Sequence, residues 1–425
     1  MSYVEQGGKA PGRVGFLEVL SNRRFRRLWL GQLVSLFGDK LNFVTLLALL
    51  HSKPGGSQNL LLLALVQTTA YLCFGLFAGA LVDRLDRKKI MVAGDLARAA
   101  LVLTLPFIDS RQLIFAVSFI ITSITLFFEP ARDASVPTIV ERDHLLTANS
   151  LLQTSRALSD IVGLMVSGVV VWLAGTRLAF FIDSASFVFS AVMIWPITIP
   201  RAKSVSSAAK GIVTRVLADV REGIEFLRRE RDVASIIVLY VALGLGMGPV
   251  NVLLFTYAAD VIGLGARAYG LISGSIVGGV LVGSMLLGRF GQRLEKRRVM
   301  TGGLFGLGAL LLVLVNTRLL VPAMVIAVGS GLANSCFFIS FLTLFQELVP
   351  NEKRGRLFSI HYITKQSSAF ISITAATFLA TVISAVTILS ISAIIVMAAA
   401  ALGWFLLVVR PAGERRATTE TQTPA

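Results

Sequence analysis

Cysteine is nearly absent. Cys73 and Cys336 are the only two, and both lie in apolar stretches, which excludes a disulfide framework and any thiolate metal spacing. Histidine is as scarce. His51, His144 and His361 are scattered, with no carboxylate–histidine grouping on one helix face, so neither a catalytic centre nor a metal site is expected. No Gly-x-x-x-x-Gly-Lys-Ser/Thr phosphate loop occurs, so the chain has no ATPase of its own and no cofactor is expected. Charge is short too: 15% of residues, where a soluble domain carries about 25%. So few charges could not cover the surface of a soluble core.

What is abundant is apolar sequence, 55% of 425 residues, with a mean hydropathy of +0.77. Long apolar runs point to lipid as the solvent, where a spanning helix needs about 20 apolar residues. Twelve such spans are predicted, at 28–50, 59–82, 90–108, 112–129, 148–174, 178–198, 234–259, 268–288, 299–316, 320–345, 357–382 and 385–409. The segment before the first span holds many charges and no short apolar run with a small-residue cleavage site, so a cleavable signal is not expected.

The net charge of +16 would suggest nucleic acid in a soluble protein. Here no basic stripe with interleaved aromatics occurs, and the cations sit between apolar runs. Lys and Arg crowd the N-terminal segment, every second connection and the C-terminal tail. The alternate connections hold only Lys53, Arg111, Arg177, Arg267 and Arg318. This asymmetry predicts a multi-pass protein of the cell (inner) membrane with both termini cytoplasmic.

One stretch recurs. GALVDRLDRKKIMVAG, from Gly79, aligns without gaps to GRFGQRLEKRRVMTGG, from Gly288, about half the chain later. The repeat predicts two six-helix halves of like orientation. The expected organisation is a cytoplasmic segment 1–27, a first bundle 28–198, a linker 199–233, a second bundle 234–409 and an unstructured cytoplasmic tail 410–425. In the linker, Val213, Val216, Leu217, Val220, Ile224 and Leu227 recur at three- and four-residue steps, which predicts an amphipathic helix on the membrane interface.

The residues Gly79, Leu81, Asp83, Arg84, Asp86, Arg87, Lys88 and Lys89 together resemble the loop-2/3 signature of the major facilitator superfamily. FRRLWLGQLVSLFGD (25–39), ARDASVPTIVERDHLLTANSLLQ (131–153), FFIDSASF (180–187) and DVREGIEFLRR (219–229) are similar to its macrolide and siderophore exporter branch. The resemblance implies an all-α membrane protein, twelve transmembrane helices in two pseudo-symmetric six-helix bundles. It also implies that Asp83 bonds across to other helices in one state of the cycle, and that the fifth span borders a central cavity. The branch often carries Gly-Pro, a small residue and Gly in the fifth span, a pattern tied to antiport. Here the segment is Gly163-Leu164-Met165-Val166-Ser167-Gly168, without the proline, which leaves close packing through the glycines.

Candidate functional residues follow from charge in lipid. Gly79 lets the second span approach a neighbour closely, and Asp83 is placed to act as a latch between two states. Arg84, Arg87, Lys88 and Lys89 would face anionic headgroups, each worth about 1 kcal/mol, with Asp86 among them. Asp39 lies in the first span, where an ionised acid costs about 3 kcal/mol, so it is the leading candidate for proton coupling. Its neighbour Lys40 points about 100° away. Arg156 and Asp160 are four apart and share a face, read either as a self-contained ion pair or as a substrate or gating contact. His361, Lys365 and Gln366 mark the eleventh span. Asp95 and Arg98, three apart, are expected to brace the 2–3 loop, and Asp183 to cap the sixth span near the outer face. Gly270, Gly274, Gly278, Gly279 and Gly283 give the eighth span a small-residue packing face.

The expected activity is secondary active transport: proton-coupled efflux of an amphipathic small molecule (a drug, macrolide or siderophore-like compound) by alternating access. Expected partners are that substrate, protons or another coupling ion, and membrane lipids; the chain is expected to be a monomer. The alternatives are a lipid or lysophospholipid flippase on the same fold and a non-transporting membrane receptor.

Overall fold

The computed structural model describes residues 15–82, 85–200, 230–291, 294–349, 364 and 367–409. In hydrocarbon every backbone N–H and C=O must be satisfied within its own segment, and a helix does this. No strand occurs among the described residues. The helices are α1 (Phe16–Ser21), α2 (Arg23–His51), α3 (Gly56–Val82), α4 (Arg87–Thr104), α5 (Arg111–Ile139), α6 (Leu145–Leu158) and α7 (Leu164–Ile194). After the linker come α8 (Arg231–Thr256), α9 (Gly265–Phe290), α10 (Lys296–Val315), α11 (Leu320–Leu348), α12 (Ser367–Leu379) and α13 (Ala385–Trp404).

Ten of these stretches are long and apolar enough to cross a bilayer. One of the ten, Leu145–Ile194, runs for 50 residues. It breaks at Gly175, whose φ of 76° lies in the left-handed region that only glycine adopts without strain. The fifth and sixth predicted spans meet at that break, and the described part of the eleventh is α12. The chain is therefore an all-α protein of twelve membrane spans.

By contacts the chain divides into two compact units, Met1–Ser52 with Thr69–Ser207 and Lys53–Thr68 with Ala208–Ala425. In the first, α7 packs along both α2 and α4, and α4 packs on α5. Gly31 and Gly38, two turns apart on α2, face α7; a Cβ on Gly31 would come 3.3 Å from the Ser190 backbone. Asn22 caps α2, accepting from the amides of Arg24 (3.0 Å) and Phe25 (3.3 Å), and its Nδ2 donates to the Ile139 carbonyl at the end of α5 (2.8 Å). Phe25, Leu28, Met91, Phe128 and Ile194 fill the core around this end.

In the second unit α11 packs against α9 and α10, and α13 against α8 and α10. Tyr240, Phe337 and Phe345 stack on the ring of Phe341, with centroids 4.7, 6.0 and 6.0 Å from its own. Of the packing face expected on the eighth span, Gly279 and Gly283 meet α11, whereas Gly278 does not belong to it. Gly279 lies against the Val328 carbonyl of α11, Gly331 of α11 lies against the Ile276 carbonyl of α9, and Gly283 meets Ser335. Backbones this close leave no room for a methyl group. Gly278, one residue away, has nothing within 4 Å of a built Cβ.

The recurrent motif opens the same helix in each unit. Asp86 caps α4 by accepting from the Lys89 amide (3.2 Å), and Arg87 Nη1 donates to the Ala134 carbonyl of α5 (2.8 Å). In the second unit Glu295 holds the corresponding N-cap position, and Lys296 pairs with Glu347 of α11. Arg297 reaches Asp232 of α8 (2.6 Å), and Arg298 pairs with Glu295 (2.6 Å). The motif thus fastens the start of one helix to the helix that follows it.

The glycine contacts give a paired test. Gly279→Ala is expected to destabilise the protein by roughly 1–3 kcal/mol or more through overpacking. Gly278→Ala, into open space, should leave the thermal unfolding midpoint of the detergent-solubilised protein at its wild-type value.

Candidate functional site

The first unit buries an arginine among carboxylates. Arg98 sits within α4 at 2% exposure, and Asp95, one turn earlier on the same face, is fully buried. Arg98 Nη2 donates to Asp95 Oδ1 at 2.5 Å, and Nη1 to Thr125 Oγ1 of α5 at 3.4 Å. The guanidinium carbon lies 4.4 Å from the ring centroid of Phe128 on α5 and 4.3 Å from that of Phe187 on α7. Two aromatic faces thus take the place of water around the cation, an arrangement worth about 2 kcal/mol when desolvated.

Two further carboxylates feel the charge of this arginine. Asp39 enters from α2 and Asp183 from α7; the charge of Arg98 acts on both, and that of Asp39 acts on Asp183. Asp183 has no exposed surface. Gly38 admits it: a Cβ there would come 2.5 Å from Asp183 Oδ1. Ser186 Oγ lies 3.4 Å from the same oxygen. Lys40 and Arg132 contribute positive charge to Asp39, and Glu129 negative. Asp95 Oδ2, Asp183 Oδ2 and Arg98 Nε are buried without a hydrogen-bond partner. A carboxylate oxygen left without a partner in an apolar interior makes the ionised form costly at Asp95 and Asp183.

A chain of polar contacts leads from the cluster to the surface of the unit. Ser190 of α7 lies beside Asp95. Gln32 Nε2 donates to Ser190 Oγ (3.4 Å), and Arg132 Nη1 donates to Gln32 Oε1 (3.3 Å). Arg132 Nε pairs with Asp133 (2.9 Å), and Arg156 Nη2 is 3.6 Å from the same Asp133 oxygen. Asp133 is 59% exposed.

Several expectations need correction. Arg156 and Asp160 do not pair with each other. The residues from Ser159 to Gly163 form a π turn, whose wider winding rotates Asp160 off the face of Arg156. Asp160 pairs instead with Lys40 of α2 at 2.5 Å, and Arg156 turns to Asp133. Gly163 makes room for this, since a Cβ there would come 3.1 Å from Lys40 Cγ. Asp183 does not cap the sixth span; it lies inside α7, facing Gly38. Asp95 and Arg98 bond within α4 and to α5 and α7, in the core of the unit rather than at the 2–3 loop. Asp39 and Lys40 diverge as their adjacency requires, one toward Arg98 and the other to Asp160.

Asp86 and Arg87 serve the start of α4, as described, and Gly79 lies in the last turn of α3. Lys88 and Lys89 form no ion pair among the described residues. Asp83, Arg84, His361, Lys365, Gln366 and the amphipathic stretch 213–227 lie outside the described residues. Among the described residues no group of His, Cys, Asp and Glu is placed to hold a metal ion. The second unit has a small cavity of about 190 Å³ lined by Tyr240, Met247, Asn251 and Asn334.

The family model described as transmembrane secretion effector matches residues 15–424. The chain belongs to this family, within the major facilitator superfamily. The chain is 26% identical to macrolide efflux protein A of Streptococcus pyogenes over 347 residues, 79% of this chain and 84% of that protein. It is also 26% identical to macrolide efflux protein A of Enterococcus faecalis over 314 residues, 72% of this chain and 96% of that one. Among solved structures, a peptide transporter superposes with a TM-score of 0.71 at 14% identity, covering 95% of this chain and 99% of that one. A bacterial homologue of the human lysosomal transporter Spinster superposes with a TM-score of 0.70 at 12% identity over the same shares. The chain is a multi-pass membrane efflux transporter of the macrolide-exporter branch, and its substrate is a small molecule.

The repeat isolates what the chain adds in its first unit. The positions in α10 that align with Asp95 and Arg98 of α4 are Leu304 and Leu307, both buried. The second unit therefore folds with leucines where the first has an ion pair. Replacing a buried pair by apolar residues is often neutral, whereas removing one partner costs about 3–5 kcal/mol. Arg98→Leu is accordingly expected to reduce the yield of folded protein and lower its unfolding temperature. The double variant Asp95→Leu/Arg98→Leu should recover much of that stability and still lose transport. Equal stability of the single and double variants would show that the pair is not coupled.

Proposed function

We propose that this transporter couples export of an amphipathic small molecule to proton movement, and that the proton resides on the carboxylates around Arg98. The observation that carries the reading is the set of buried carboxylates near Arg98 inside a membrane-spanning unit, with Asp95 and Asp183 each keeping an acceptor oxygen without a partner. A proton on one carboxyl removes a charge that hydrocarbon cannot solvate and turns an unsatisfied acceptor oxygen into a donor. Asp183, on which the charge of Asp39 acts, forms with Asp39 the pair on which protonation relieves most strain. The contacts through Ser190, Gln32 and Arg132 to exposed Asp133 tie that event to the surface of the unit. The Lys40–Asp160 pair, at 30% and 48% exposure within spanning segments, marks a face in contact with water rather than acyl chains.

An apolar cavity supports the substrate class. It measures about 680 Å³ and is lined by Leu33, Phe37, Val166, Val170, Ile182 and Phe189. Gly38 and Ser186, which contact Asp183, line it as well. A lipophilic body beside a buried acid suits an amphipathic compound bearing a basic or hydrogen-bonding group. Similarity to macrolide efflux protein A makes macrolides the first substrates to try. The transport cycle is alternating access, with Asp83 as a latch and His361 and Lys365 as further candidates for substrate contact. Both termini are placed in the cytoplasm by the Lys and Arg asymmetry.

The test is macrolide flux in proteoliposomes under an imposed pH gradient. Wild-type protein should accumulate the drug against its gradient. Asp39→Asn and Asp183→Asn should abolish accumulation while eluting as folded protein and still exchanging drug across a membrane at uniform pH. Wild-type accumulation in both variants would remove these acids from the mechanism, and wild-type flux indifferent to the pH gradient would remove proton coupling altogether.

A further inference from the structure

The motif that opens α4 and α10 is balanced in one unit and unbalanced in the other. In α10 all three of its bases have carboxylate partners: Lys296 with Glu347, Arg297 with Asp232 and Arg298 with Glu295. Their counterparts in α4 are Arg87, Lys88 and Lys89. Arg87 donates to the Ala134 carbonyl, but neither Lys88 nor Lys89 has an acidic partner among the described residues. The α2 helix, which opens the first unit as α8 opens the second, begins with Arg23 and Arg24 where α8 carries Asp232 in its first turn. The carboxylate of Asp86, the nearest acid in sequence, accepts from the Lys89 backbone amide as the helix cap.

These two amines, with the Asp86 cap beside them, stand at one end of a groove of about 560 Å³ between the start of α4 and the end of α7, where cations outnumber the acid two to one. Val92 and Leu96 follow Lys88 at steps of four, one stripe along α4, and Trp195 closes the opposite wall. Leu96 is 46% and Trp195 67% exposed. The groove therefore runs from positive charge at the helix start to apolar surface deeper along the span, with an indole at the level where membrane interfaces collect tryptophan. Polarity changes along a phospholipid in the same order and over the same boundary.

We infer that this groove is a binding site for an anionic phospholipid, its phosphate held between Lys88 and Lys89 and an acyl chain laid along Val92 and Leu96 against Trp195. A free inorganic anion would satisfy the amines and leave the apolar wall and the indole uncovered. A zwitterionic lipid would bring its own cation to a site where two amines already outnumber the one carboxylate of Asp86. The site rests on the chain lying in a membrane and does not depend on what is transported or how it is coupled.

Native mass spectrometry of the full-length protein, released from detergent with equimolar phosphatidylglycerol and phosphatidylcholine, reads the preference directly. Wild-type protein should retain phosphatidylglycerol over phosphatidylcholine by roughly tenfold, the order that two amines at a membrane surface supply. The variant Lys88→Gln/Lys89→Gln should retain the two lipids equally. Trp195→Ala, with both amines intact, should weaken retention of phosphatidylglycerol while still favouring it over phosphatidylcholine. Equal retention of both lipids by the wild type, or an undiminished preference in the folded double-lysine variant, overturns the assignment. Displacement of the bound lipid by millimolar glycerol phosphate would also overturn it, because the site would then recognise the anion alone.

Discussion

A guanidinium buried between two phenyl rings has to be compensated locally, and the first unit is arranged around that requirement. Arg98 draws on α4 for Asp95, on α5 for Phe128 and Thr125, on α7 for Phe187 and on α2 for the nearby charge of Asp39. These four helices are also the ones that pack together to form the unit. A low-dielectric surrounding strengthens each of these interactions and raises the cost of leaving any one unmade. The cluster therefore specifies how the helices meet while remaining short of full satisfaction, because Asp95 Oδ2, Asp183 Oδ2 and Arg98 Nε are left without a hydrogen-bond partner.

That shortfall separates the two units. The second unit reaches the same architecture with aromatic stacking along α11 and with glycines that let α9 and α11 meet backbone to backbone. Leu304 and Leu307 stand where the first unit has Asp95 and Arg98. A fold that can be built with leucines at these positions does not need an ion pair for stability. Its retention in one half points to work done by charge, which is why the proton-coupled reading is centred there.

Much of this was legible before any coordinates. Apolar runs of about twenty residues admit only helix in a bilayer, so the spans follow from composition and length. The duplicated loop motif marked the two halves, and the acid at Asp39 was conspicuous because lipid does not tolerate it. The sequence places Asp183 soon after a short connection, where capping is the common role, and that position does not reveal its place in the core. The signals that marked it otherwise were the serines at 184, 186 and 190 on the same helix and a glycine, Gly38, on the span facing it. The sequence hides the partners of Arg156 and Asp160 for a different reason. Spacing of four predicts a shared face only if the winding stays regular, and the π turn from Ser159 to Gly163 changes the winding.

The sequence by itself determined that the chain crosses a membrane many times, that its two halves are duplicates and that a handful of charges lie where water is absent. These are properties of single segments against a solvent, and hydropathy and periodicity report them directly. Only the tertiary structure decided which charges meet. Asp39, Asp95, Arg98 and Asp183 stand on three helices far apart in the chain, and their grouping depends on helix rotation and on the room left by Gly38, which no local pattern encodes. Two lysines at α4 lack an acidic partner among the described residues for the same reason. Whether a base is paired is settled by the neighbouring helix, where Asp232 serves one half and the corresponding helix of the other begins with Arg23 and Arg24.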